Sequence, residues 1–266
     1  MHQVDQKKYN RQYFSPPHSL NYSTKIKPTS FSHKYKELAK LLKLKPSDHI
    51  VDYGCGNGDL SFYLHLKYQC QVSGFDYSPA AIKICREKLK MYHQWTKLES
   101  KINFQLCHTA NLPKLTNIKA IYFSDVFEHI NNQETKIILN QISTWNKNQP
   151  ILIIAHTDNN LYLKYISWIV DLLSLITKTK KIEDLQKRKQ LNKELHINLT
   201  NPPSLRKKML SYGYKQIKLT YSTATTKKIN LQMGIKSTTP ISKTCRYLIK
   251  NMPFLSPSFY AIYKKT

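Results

Sequence analysis

Apolar positions along this chain alternate between two periods. Tyr35, Leu38, Leu41 and Leu42 fall at helical spacing over residues 33–44, and Pro46 ends that helix. A short β-branched run at 49–53 leads into a glycine cluster and a helix over 59–67. The pattern then repeats: a strand over 70–75, a helix over 79–93 opened by Ser78-Pro79, and strands over 102–107 and 119–124. A helix over 133–145 and a fifth strand over 150–155 complete it. Nearly continuous apolar strands alternating with helices predict a parallel sheet covered on both faces, which is an α/β, doubly wound fold.

After His156 the pattern changes. Residues 161–177 read as one apolar helix and 182–195 as a charged one, together an inserted helical cap after strand 5. Pro202 and Pro203 start a short helix to Tyr212, Gly213 precedes a strand over 214–221, and a polar stretch leads through a helix to a last strand over 258–264. The first 32 residues, rich in Tyr, Ser, Pro and Lys, read as a loose, flexible arm that folds over the domain. The expected division is therefore an arm at 1–32, a core at 33–157, a cap at 158–200 and the rest of the core at 201–266.

Composition narrows the class. With 266 residues, 41% hydrophobic and 22% charged, the chain can bury a real core, which excludes collagen, coiled coil and wholesale disorder. The formal charge is +26, which invites a nucleic-acid or anionic-membrane surface. Yet only five of the 42 basic residues are arginine, the better bidentate phosphate ligand, and abundant Lys, Asn and Ile fit the codon bias of an AT-rich genome. Five cysteines with no C-x-x-C pair indicate neither disulfides nor zinc and fit a reducing compartment. The polar first 15 residues lack a signal-peptide apolar core, and Lys164 and Asp171 interrupt the longest apolar stretch. A cytoplasmic chain without a transmembrane segment, peripheral to a membrane at most, is expected.

Three of the six glycines, Gly54, Gly56 and Gly58, fall within five residues where a strand gives way to a helix. Asp76 follows at the end of the second strand, where a carboxylate accepts hydrogen bonds from a ribose diol. A nucleoside ligand is expected there. The spacing is G-x-G-x-G, not the G-x-G-x-x-G of dinucleotide folds, and no Lys-Ser/Thr follows to make a P-loop.

The run Val51-Asp52-Tyr53-Gly54-Cys55-Gly56-Asn57-Gly58 resembles motif I of class I S-adenosylmethionine-dependent methyltransferases. Gly74-Phe75-Asp76-Tyr77-Ser78 is similar to their acidic-loop motif and Thr109-Ala110-Asn111-Leu112-Pro113 to their adenine-contact motif. Ser124-Asp125-Val126-Phe127-Glu128-His129-Ile130 resembles the segment after strand 4 in the small-molecule branch related to ubiquinone-pathway O-methyltransferases. The resemblance spans about residues 34–157. It implies a seven-stranded Rossmann-like methyltransferase sheet, S-adenosyl-L-methionine as cofactor, and methyl transfer to a small molecule. A lipophilic, quinone-like or glycan acceptor methylated at oxygen is the expectation, with an RNA methyltransferase or a non-catalytic nucleoside-binding or membrane-docking subunit as alternatives. It places Asp52 and the backbone of Gly54, Cys55, Gly56 and Gly58 at the methionine moiety, and Asp76 at the ribose. Tyr77, Ala110 and Asn111 fall to the adenine, although the family more often has Asp at the position of Asn111. Ser124 and Asp125 border the methyl donor.

A hydroxyl acceptor benefits from a general base, and histidine has a suitable pKa. His129 follows Asp125 by four residues, so on a helical turn the carboxylate would orient the imidazole; the structural alternative is that both cap or pack the next helix. His156, ending strand 5, points toward the same place, and His196 is a third candidate. Tyr162, Tyr165, Ile166, Ile169, Leu172, Leu173 and Ile176 form one broad apolar face on the cap helix. That face is either core packing or a lid over an apolar acceptor that touches lipid, with Lys178, Lys180 and Lys181 just beyond. Asn201-Pro202-Pro203-Ser204 looks like the N-P-P-aromatic motif of base methylases, but its Ser cannot stack on a base, so it reads as a helix start.

Overall fold

The computed structural model describes residues 8–11, 13–14, 27–96, 101–109, 111–146, 149–176, 194–222 and 251–266, with isolated positions at 183, 186 and 190. Seven strands form one sheet: β1 His49–Tyr53, β2 Gln71–Asp76, β3 Ile102–Leu106, β4 Ile118–Ser124, β5 Leu152–Asp158, β6 Tyr214–Tyr221 and β7 Ser258–Lys265. Their order is β3-β2-β1-β4-β5-β7-β6. All pairings are parallel except those of β7, which runs antiparallel to both β5 and β6.

Period-two alternation divides the interior into two apolar layers. Ile50, Val72, Tyr122, Ile154 and Tyr260 point into one, while Val51, Phe75, Phe123, Ile153 and Phe259 point into the other. The first layer is covered by α1 (His33–Lys40), α2 (Asp59–Tyr68) and α3 (Pro79–Thr96), and the second by α4 (Asn132–Ile142). Both faces of β1, β4 and β5 are therefore dry, which is why these strands are apolar nearly throughout.

The single helix expected over 161–177 is two, α5 (Asn160–Tyr165) and α6 (Ser167–Ile176), separated at Ile166. The Ser167 hydroxyl donates to the Leu163 carbonyl at 2.6 Å, a side-chain bond that competes with the backbone ladder and bends helices. The break splits the expected face, burying Tyr162 and exposing Tyr165 and Leu172. Asn201 caps a further helix, α7 (Pro202–Ser211), accepting from the Ser204 amide at 3.0 Å, so N-P-P-S is a helix start. Most of 182–195 and the helix expected before the last strand lie outside the described residues.

Candidate active site

Strand order reverses between β1 and β4, and a crevice opens beyond the carboxyl ends of these two strands, as in other open α/β sheets. The glycine turn forms its floor. Gly54 and Cys55 both donate to the Phe75 carbonyl, at 2.7 and 2.9 Å, tying the turn to β2. Gly54 has φ +68°, and a Cβ there would stand 2.6 Å from Val126 Cγ2, so only glycine lets the segment after β4 come this close. Cys55 turns its thiol into the core beside Cys85, where burial pushes it well above its ordinary pKa.

The cavity in this crevice measures about 260 Å³ and is lined by Asp52, Gly54, Cys55, Gly56, Asp76, Tyr77, Ser124 and Asp125 among others. Of the residues assigned to the cofactor by sequence, Asn111 is exposed and away from the lining, Gly58 caps α2 without lining it, and Ala110 lies outside the described residues. Cys107 and Thr109 stand at the end expected for adenine instead.

Two carboxylates in the cavity are buried with no cation in hydrogen-bonding contact among the described residues. Asp76 accepts from the amides of Gly56 and Ser78, each at 2.8 Å, yet burial pushes its carboxyl up to about 6. Asp52 accepts from the Ser61 hydroxyl at 2.6 Å, and burial pushes it up to about 7. The hydroxyl of Ser124, shielded from solvent, has no hydrogen-bond partner among the described residues. A ligand that brings positive charge and hydrogen-bonding groups fits this lining.

The expected Asp125–His129 pair is not formed. Asp125 has φ +58°, and residues 127–129 form a turn rather than a helix, so four-residue spacing does not align the two. Asp125 instead meets His156, with Oδ1 2.6 Å from Nδ1, and forms an ion pair with Lys34 of α1. Burial pushes the Asp125 carboxyl up, but Lys34 and His156 together hold it well below the usual range.

His129 is held by other partners. Its Nδ1 lies 3.0 Å from the Leu195 carbonyl and 2.9 Å from the Tyr9 hydroxyl. A carbonyl only accepts, so Nδ1 carries the hydrogen and Nε2 keeps its lone pair. Burial, with His196 edge-on at 4.9 Å, lowers the imidazole to about 4, so it is neutral at physiological pH.

A second cavity of about 300 Å³ adjoins the first, between β4, β5 and β7. It is lined by Glu128, His156, Asp158, His196 and Tyr260, and shares Tyr13, Lys34, Asp125 and His129 with the first. Burial and the neighbouring Asp125 and Asp158 push the Glu128 carboxyl well above its ordinary range. Sequence reasoning missed Lys34, Asp158 and Tyr260, which come from distant elements.

The first segment also reaches the site. The Ser78 hydroxyl donates to the Tyr9 carbonyl at 2.7 Å, and Lys8 pairs with Glu194 at 2.8 Å. Tyr9 stands edge-on to Tyr77 at 5.4 Å and to His129 at 5.8 Å. Tyr9, Tyr13 and Phe14 thus form an aromatic wall of the first cavity. Their clustering in an otherwise polar arm was the available signal.

Residues 44–223 match the methyltransferase domain model, which covers more than half of the chain. The chain belongs to this methyltransferase-domain family. It is 27% identical over 97 residues to a probable fatty acid methyltransferase of Pseudomonas putida, a match covering 36% of this chain and 24% of that protein. It is 29% identical over 100 residues to phosphoethanolamine N-methyltransferase 1 of Arabidopsis thaliana, covering 37% and 19%. The matches thus span about a quarter or less of these relatives' length. In fold it is similar to geranyl diphosphate C-methyltransferase of Streptomyces coelicolor A3(2). That structure has a TM-score of 0.58 at 15% identity, covering 99% of this chain and 86% of that one.

Proposed function

We propose that this chain binds S-adenosylmethionine in the first cavity and methylates, at oxygen, a small molecule seated in the second. The observation that carries this is the junction: Tyr13, Lys34, Asp125 and His129 line both cavities, so groups held in each meet there. The cofactor supplies an electrophilic methyl on a sulfonium. The uncompensated carboxylates support this choice, because Asp76 can accept from a ribose diol while Asp52 and the Gly56 turn face the cationic methionine moiety.

His129 is the residue we assign as general base. Its Nε2 lone pair is available, and its neutral form persists well below pH 7. Asp125 and Lys34 are positioning residues: the ion pair fixes α1 against the end of β4 and holds His156 in place. Alignment of nucleophile and methyl supplies much of the rate in such a displacement.

The second cavity's lining selects its guest. Asp125 and Asp158 outnumber Lys34 there and Glu128 adds a further carboxyl, which disfavours a phosphate and suits hydroxyl groups that donate to carboxylates. The named acceptors of the relatives include phosphoethanolamine and geranyl diphosphate, and this lining supports a less anionic one. Incubation with methyl-labelled S-adenosylmethionine and cell extract tests the reading, with Asp76→Ala as the blank. Label in organic-soluble or small-solute fractions, as base-stable ether, supports it. Label in RNA or protein overturns the acceptor assignment, and no label above the blank overturns the activity.

A further inference from the structure

Five of the twelve large apolar side chains exposed among the described residues gather around α5 and α6. Tyr165 at the end of α5 is 53% exposed, and Trp168 and Leu172, four residues apart on one face of α6, are 56% and 49% exposed. The turn Pro253–Leu255 packs against α5 and adds Met252 and Phe254, 38% and 43% exposed. The only acidic residue of α5 and α6, Asp171, is buried, so it puts no negative charge on this face. Lys164 is exposed beside Tyr165, its ammonium 5.2 Å from the ring, and the sequence continues with Lys178, Lys180 and Lys181.

We propose that this face is a docking surface for an anionic lipid layer. Tyrosine and tryptophan present an apolar body with a polar tip, which suits the boundary between headgroups and acyl chains. Lys164 beside Tyr165, and the three lysines that follow α6 in sequence, add attraction to anionic headgroups, in a chain whose charge of +26 opposes no such approach. No helix among the described residues is long and apolar enough to cross a membrane, so contact is in the plane of the surface.

The location gives this surface a purpose. Asn159 caps α5, and its side-chain amide also donates to the carbonyls of Phe254 and Ser256, at 2.7 and 2.8 Å. The flanking residues Asp158, Pro257 and Ser258 line the second cavity. One polar clamp therefore joins the apolar face to the cavity rim. A docked protein presents that cavity beside the lipid layer, where it can take the headgroup of an amphiphile whose tail stays in the lipid. This last step rests on the acceptor reading above, whereas docking does not.

Flotation of the full chain with vesicles tests docking without any activity measurement. Vesicles of phosphatidylcholine mixed with phosphatidylglycerol should carry the protein and phosphatidylcholine alone should not, with binding weakening as salt rises. Trp168→Ser with Leu172→Ser should weaken partitioning on the order of tenfold. Both side chains are exposed, so the melting temperature should stay unchanged; Phe254→Ser provides a second variant. A wild-type chain that ignores the anionic vesicles overturns the proposal, as does a double variant that floats equally well. So does a wild-type dimer in sedimentation that the double variant dissolves without any vesicle binding, which would make the face a contact between two copies.

Discussion

The Tyr9 hydroxyl stands 2.9 Å from Nδ1 of His129, joining the start of the chain to the imidazole between the two cavities. Tyr9→Phe keeps the aromatic wall and removes the hydroxyl's hydrogen bonds, this one and the one to Tyr77. The Leu195 carbonyl still fixes the tautomer, so kcat should fall by about threefold to tenfold, and release of Tyr77 should weaken cofactor binding by no more than about the same factor, as expected for one hydrogen bond lost at each residue. Tyr9→Ala opens the wall itself and should also speed cofactor dissociation in stopped-flow measurements.

On the proposed binding mode, the buried carboxylates should make cofactor affinity depend on pH. Asp52 and Asp76 titrate near 7 and 6 in the folded chain, against an ordinary value of 3.8. Raised folded values mean that their contribution to stability is full below pH 3.8 and is lost as pH rises through about 6 and 7. A cationic ligand favours the ionised forms, so binding should release protons and tighten as pH rises through that window. Calorimetry in buffers of different ionisation enthalpy reads this directly; pH-independent affinity would contradict it.

Asp52→Asn separates the two effects. Removing the buried charge should raise the melting temperature of the ligand-free protein at pH 8 while weakening S-adenosylmethionine binding by roughly tenfold or more. A variant less stable than wild type at pH 8 would show that the Ser61 hydrogen bond outweighs the burial.

Two neighbouring glycines should respond differently to alanine. At Gly54 the new methyl meets Val126 at 2.6 Å with φ at +68°, and about 1–3 kcal/mol of stability should be lost in urea unfolding. At Gly56 the nearest atom is Phe14 Cε1 at 3.4 Å, so stability should fall by only about 1 kcal/mol from backbone strain. That methyl enters the first cavity, however, and S-adenosylmethionine binding should suffer more than folding.

His129 titrates near 4, below its ordinary 6.5. A lowered folded value means that its contribution to stability is full above pH 6.5 and is lost as pH falls toward 4. At saturating cofactor, kcat should therefore hold through pH 6 and fall only near 4–5. His129→Gln should remove that limb and lower kcat by about 100-fold. A limb near 6.5 that persists in His129→Gln would move the base to another group.

The sheet was legible because its central strands are buried on both faces, and Ile50 and Val51 can only point into opposite layers of a covered sheet. The glycine turn and Asp76 were legible because close approach and strand-end placement leave marks within a few residues. Two features left no local mark. The backbone reversal at Asp125 turns an expected i,i+4 pair into contacts with His156 and Lys34. The second cavity takes Lys34 from α1, His156 and Asp158 from β5 and Tyr260 from β7, which no single spacing can reveal.

The direction of β7 also bears on handling the protein. It starts at the cavity with Ser258 and runs back along β5, so that Lys264 pairs with Leu152 and the Thr266 amide donates to the Gly213 carbonyl at 2.9 Å. Residue 266 therefore sits at the opposite end of the sheet from both cavities, whereas Tyr9, the residue after Lys8, lines the first cavity. An affinity tag or immobilisation anchor attached after residue 266 leaves the entrance clear, and one placed just before Lys8 crowds it.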